Sequence, residues 1–275
     1  MPIPSIDAFH CPPLLAQTQS NIIAEAKAAC HGLVANALRA ETTPVEAVVS
    51  RTTTGLLAKI FSISDSVDPS RAGAVAHIRI QATLQQVADF FHMEASTQTY
   101  ARIMEDNTIA SGTLYSLIER PIADGAVRPL HSISIEWFLR RLGVGIPLRD
   151  LTCIDIQDEF VLDDVAAGRR RRGWARCLHS VDLPTCPSLE KTHNVIRMKV
   201  CRSGHVFLES NTPGVLDYYH VHIGTPKGTL LGRHFRQWYR RAMVKTLAHS
   251  VMNLAEHFVM QRIRPSLDVS VVAQF

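Results

Sequence analysis

From residue 112 to residue 223 the chain offers one extended segment after another and no helix long enough to cover them. Strand patterns run over 112–118, 131–139, 151–160, 173–183, 194–201, 205–210 and 215–223. Turn-forming stretches such as Arg202-Ser203-Gly204 and Pro213-Gly214 separate them. Strands joined in this way pair antiparallel, and a sheet without crossover helices cannot hide both faces in the βαβ manner. Cover for one face must come from outside the run, and it follows at once. Phe235, Trp238, Ala242, Met243, Leu247, Val251, Leu254 and Phe258 trace an apolar stripe at helical spacing over 232–264. At about 1.5 Å per residue this helix reaches roughly 45 Å, enough to cross a small sheet. Pro265 is expected to end it, leaving a tail that is loose or an edge strand. The predicted class is α+β: a curved antiparallel sheet around one long C-terminal helix. The space between sheet and helix is either packed or a pocket.

The first part of the chain adds a helix over 14–40, stopped by Thr42-Thr43-Pro44. Extended patterns over 55–63 and 74–81 read as a hairpin. Thr83 and Gln86 stand at capping-box spacing and open a helix whose apolar side is Val87, Phe90 and Phe91. A second short helix is expected over 96–105. The predicted organisation is an N-terminal segment and helix (1–44), the sheet-and-helix domain (45–264) and a C-terminal tail (265–275).

Composition removes several classes of function. Hydrophobic residues make up 46% of the 275 and charged residues 20%, the balance of a globular chain. A net charge of +4 is too small to argue for nucleic acid, and only Trp174 is interleaved with the one basic run, so no nucleic-acid partner is expected. The six cysteines form no C-x-x-C pair, so no structural zinc is expected. Free thiols and an N-terminus without a signal-peptide pattern lead to the expectation of a cytoplasmic protein. No apolar run approaches the ~18 residues of a membrane span, so any membrane association is expected to be peripheral. G-x-S-x-G, Gly-rich phosphate loops and H-E-x-x-H are all lacking in the sequence; no catalytic residue and no cofactor is assigned. Nothing in the sequence sets an oligomeric state.

A set of short motifs sits on this order of elements. They are Thr83-Leu84-Gln85-Gln86-Val87, Arg149-Asp150, Gln157-Asp158-Glu159-Phe160, GRRRRGW (168–174), Leu178 to Pro184, Cys186 to Glu190, Arg202 to Phe207 and ESNTPGVLD (209–217). With them the chain resembles the START-like superfamily of lipid-binding domains, which have the helix-grip fold. It is most similar to the START-like domains of oomycetes that often stand beside FYVE zinc fingers. The resemblance covers roughly residues 45 to 262 and is densest from 149 to 228. It departs from those relatives in two places. The cysteine pairs of a FYVE finger are missing, so its zinc does not carry over, and the loop 161–167 is slightly expanded. The resemblance implies a hydrophobic tunnel for one lipid or other apolar small molecule, with the terminal helix as lid.

Such a pocket needs apolar walls and a few polar anchors, in about 300 Å³ or more. Trp137, Phe138, Trp174, Phe207, Tyr219, Trp238 and Met243 are the candidate walls, each of which could instead simply pack the core. Arg149 could hold a lipid's polar head through its paired donors, or serve as an ion-pair partner of Asp150. Arg169, Arg170, Arg171 and Arg172 are read as a basic turn touching an anionic membrane surface, or as a solvated hairpin neutralised by Asp155, Asp158, Glu159, Asp163 and Asp164. His220 and His222 lie two apart on a strand and face one way. A metal there would need His179 or Asp217 as well, so none is assigned, and His179 is kept as a ligand contact. An enzyme of cyclase or hydrolase type would bring His179, His220 and Asp217 together. A third alternative is an interaction scaffold whose interior is filled.

Overall fold

A computed structural model describes residues 4–93, 98–119, 130–143, 145–164, 168–225 and 233–272; side chains 93, 164, 169, 225, 233–239 and 264–272 are left out. A single 3-10 turn (Ile6–Ala8) precedes α1 (Ala16–Arg39). Then come β1 (Ala47–Arg51), β2 (Leu56–Ser64), β3 (Ala72–Gln81), α2 (Leu84–Met93) and α3 (Gln98–Met104). The strand run is β4 (Thr108–Ile118), β5 (Ser132–Arg140), β6 (Arg149–Asp164) and β7 (Arg169–Ser180). It continues through α4 (Glu190–His193), β8 (Ile196–Arg197), β9 (Lys199–Val200), β10 (Ser203–Glu209) and β11 (Val215–Thr225) to α5 (Arg233–Val272).

The main strands pair antiparallel in the order β1-β2-β3-β11-β10-β7-β6-β5-β4. The short β8 joins β6 in parallel, and β9 joins β11. The α+β expectation therefore holds: one large antiparallel sheet, a long C-terminal helix and an N-terminal helix. The capping box forms as read. The Gln86 amide nitrogen donates to Thr83 Oγ1 at 3.2 Å, and the Thr83 amide donates to Gln86 Oε1 at 2.9 Å.

Both faces of the sheet are buried. On one face α5 packs across β3, β2 and β11, and α2 and α3 join it. The other face is closed by α1, which lies over β7, β6, β10 and β11. Small side chains on α1 (Ala26, Ala29, Cys30 and Ala37) let the helix approach closely around a buried Leu33. Residues 16–39 therefore share a core with the sheet. Polar side chains fix the register of α1. Buried Asn36 donates to Asp65 at 2.9 Å, and Asp65 also pairs with Arg202.

Three local expectations are corrected. The helix does not end at Pro265, because α5 continues to Val272; a proline removes one ladder bond and strains the preceding turn, yet need not stop a helix. The segment 194–201 holds only two two-residue strands after α4, not one long strand. The basic turn is not a turn: Arg169–Arg172 lie inside β7, hydrogen-bonded along β6 from Asp164 to Val161. The turn itself includes Gly168, at φ +63, a conformation that favours glycine.

Candidate functional site

Between α5 and the sheet is a cavity of about 240 Å³. Its apolar lining comes from Leu151, Leu178, Met198 and Val200 on the sheet side, Met104 on α3, and Ala242, Met243 and Leu247 on α5. The polar lining comes from His205 on β10, His220 and His222 on β11, Arg140 on β5, Tyr100 on α3, and Glu105 and Asp106 beyond it. The cavity falls short of the 300 Å³ expected of a drug-sized ligand site. A second recess of about 540 Å³ lies at the other end of the β10–β11 hairpin, lined by Thr83–Gln85, Leu130, Glu159, Arg172 and residues 209–216. It is bounded mainly by turns and charged groups, and it borders residues outside the described set. The smaller cavity is the better candidate, since it combines an apolar interior with convergent polar groups.

The strand period builds its polar side. Alternate residues of β11 point to opposite faces, so Tyr218, His220 and His222 turn toward α5 while Asp217, Tyr219 and Val221 have the other parity. On β10, His205 and Phe207 share the α5 side. The His205 and His220 rings stand 4.3 Å apart, tilted by 35°. His205 Nδ1 is 2.9 Å from the Tyr218 hydroxyl, and His220 Nδ1 is 2.7 Å from Ser250 Oγ on α5. Burial disfavours the charged form of all three imidazoles. It holds His220 down to about 3, with His222 as a further cause, and His222 down to about 4, with Arg140 as a further cause. His205 is also pushed well below its ordinary value, by burial first and then by His220.

Behind this wall is a buried ion pair. Arg176 Nε lies 3.1 and 3.0 Å from the two Asp155 oxygens, and one terminal nitrogen lies 2.5 Å from Oδ2. Its other terminal nitrogen donates to the Tyr100 hydroxyl at 3.1 Å. Burial alone would lower the guanidinium; the Asp155 carboxylate outweighs it and holds Arg176 above its usual range.

The predicted site residues scatter. Met243 lines the cavity. Trp174 and Phe207 face the same side but are fully buried, packed on each other at 5.9 Å and on Phe91 at 5.5 and 5.9 Å, so they fill the interior rather than bound the cavity. Tyr219, Trp137 and His179 belong to the α1 side, where strand parity puts them out of reach of the cavity. Tyr219 donates to Glu41 at 2.9 Å, Trp137 packs on Phe9, and His179 accepts from the Arg202 amide at 3.2 Å. Arg149 is buried and donates to the Pro147 carbonyl at 2.8 Å, while Asp150 is held by Arg197 at 2.9 and 2.7 Å. The Trp238 side chain lies outside the described residues.

The basic run also divides by parity. Arg171 is buried, with Asp217 at 2.9 Å and the Glu209 carbonyl accepting at 2.8 Å, so it cannot touch a membrane surface. Arg170 and Arg172 are exposed and face Asp163 at 3.0 Å and Glu159 at 3.1 Å. The Arg169 side chain is outside the description. Asp217 and His179 lie across the sheet from His220, so the constellation that an enzyme or metal reading needed is not assembled. Among the described residues no three His, Cys, Asp or Glu side chains could hold a metal ion. Among them, too, no helix is long and apolar enough to cross a membrane. Sequence reasoning missed His205. The signal available was its place two residues from Phe207, on the parity that the register gives to the α5 side.

No protein-family model and no curated protein matches this chain. Solved structures do. Human StAR-related lipid transfer protein 5 superposes with a TM-score of 0.51 at 14% identity, covering 87% of this chain and 99% of that one. The human StarD13 (DLC2) lipid transfer and protein localization domain gives 0.46 at 12%, covering 89% and 98%. A STAR-related lipid transfer protein fragment from Xanthomonas axonopodis gives 0.44 at 13%, covering 77% and 97%. The first of these shows a shared fold.

Proposed function

We propose that this chain binds one lipid or other apolar small molecule, without catalysis, in the space between α5 and the sheet. The observation that carries the reading is the lining of the cavity and not its volume, which is below about 300 Å³: an apolar interior with three convergent imidazoles under a long helix. The shared fold supports it, since the matched human protein is named for lipid transfer. So does the likeness of the motifs from 149 to 228 to oomycete START-like domains. Burial of ligand surface would drive binding, at ~0.8 kcal/mol per methylene. A space of about 240 Å³ admits a compact ligand or one part of a larger one; a larger guest requires α5 or α3 to move outward. His220, held down to about 3, is a weak base near neutral pH, which favours binding over acid–base chemistry. Among the described side chains of the basic run, an anionic membrane remains part of the reading through Arg170 and Arg172, which are exposed.

Native mass spectrometry of the protein after incubation with mixed phospholipid–sterol vesicles tests this. A one-to-one adduct is expected, and Met243→Trp, which fills the cavity from α5, should abolish it. A protein that takes up nothing from the vesicles, or a Met243→Trp variant that binds as well as the parent, refutes the assignment.

A further inference from the structure

We propose that His205 and His220 form a subsite for a single hydroxyl group on the apolar ligand. The proposal rests on the binding role assigned to this cavity and narrows it to a chemical class, a neutral alcohol. Hydrogen-bond accounting carries it. Ser250 Oγ donates to the Leu247 carbonyl at 3.0 Å, which uses its one proton. His220 Nδ1, 2.7 Å from that oxygen, must therefore be the donor. A neutral imidazole that donates through Nδ1 carries a lone pair on Nε2.

His205 has the opposite tautomer. The Tyr218 hydroxyl is fully buried, and its hydrogen-bond partner is His205 Nδ1 at 2.9 Å. A buried O–H left without an acceptor is costly, so the hydroxyl donates and Nδ1 accepts. His205 then carries its proton on Nε2. Among the described residues neither Nε2 has a hydrogen-bond partner, neither is sealed off as a buried orphan, and both rings line the cavity. Two rings 4.3 Å apart, tilted by 35°, thus present one acceptor and one donor. A hydroxyl is the small group that gives one hydrogen bond and takes one.

The charges around the cavity disfavour an acid in the same place. Arg176 is committed to Asp155, and Arg140 faces Asp106 at 3.7 Å. Glu105 and Asp106 themselves line the space. A carboxylate would meet these acids and a lone pair on His220, with Arg140 as the one Lys or Arg on the lining among the described residues.

The test is isothermal titration of the full chain at pH 7.5 with 1-octanol, 1-methoxyoctane and octanoate. The alcohol is expected to bind about fivefold to tenfold more tightly than its methyl ether, which cannot donate to His220 Nε2, and more tightly than the acid. In His220→Phe the alcohol and ether should bind alike. The three-ligand series on the parent protein decides the matter even if that variant fails to fold. Equal binding of alcohol and ether overturns the hydroxyl subsite and leaves the apolar site standing. Octanoate binding most tightly overturns it in favour of an anion site at Arg140. Binding of none of the three overturns both the subsite and the reading on which it rests.

Discussion

The Arg176–Asp155 pair offers the sharpest stability test. The side chains are 7% and 5% exposed, and three nitrogen–oxygen contacts of 3.1, 3.0 and 2.5 Å join them. The guanidinium also lies 5.7 Å from the centres of both the Phe91 and Tyr100 rings. Water cannot take over when one partner is removed, so Asp155→Asn leaves a buried cation without its counter-ion. Breaking such a pair costs about 3–5 kcal/mol, whereas exchanging both partners for apolar side chains of similar volume is often close to neutral. Asp155→Asn and Arg176→Met should each lose about 3–5 kcal/mol, and Asp155→Leu combined with Arg176→Met should come within ~1–2 kcal/mol of the parent. Urea unfolding with linear extrapolation reads this directly. With an m-value of ~2–3 kcal/mol/M, each single variant shifts the midpoint down by about 1–2 M. A shift under ~0.3 M in Asp155→Asn, or a double variant as weak as the sum of the singles, would refute the claim that the pair is dry and mutually dependent.

Two further predictions use the same assay. His220 and His222 are held down to about 3 and about 4 from an ordinary 6.5, so the unfolded chain binds their protons first as pH falls. Their contribution is complete above pH 6.5 and lost on acidification toward pH 4, at about 1.4 kcal/mol per pH unit for each imidazole. His220→Phe should flatten that slope by about one such increment, and an unchanged slope would contradict the neutral, half-buried assignment. The basic run should respond unevenly. Arg170→Ala, on an exposed pair, should cost under ~1 kcal/mol, while Arg171→Ala leaves Asp217 short of a buried partner and should cost about 3 kcal/mol or more; equal costs would be inconsistent with Arg171 lying inside.

Much of the architecture was legible in the residues. The run of strand patterns without crossover helices, the stripe from Met243 to Phe258 and the Thr83–Gln86 cap each act locally, through side-chain period and backbone capping. Those interactions are fixed by sequence spacing alone, which is why the residues themselves specify a sheet closed by one long helix. Which face each strand shows to that helix could not. Alternation reports inside and outside only when one face meets water, and here α1 covers the face that α5 leaves. Tyr218 and Tyr219 are chemically alike and adjacent, yet one points toward α5 and the other bonds Glu41 beneath α1. The same one-residue parity buried Arg171 between two exposed arginines, sent Trp137 and His179 away from the cavity, and set His205 against His220. Pairing across β7, β10 and β11 makes that choice, and it depends on contacts between residues far apart in the chain.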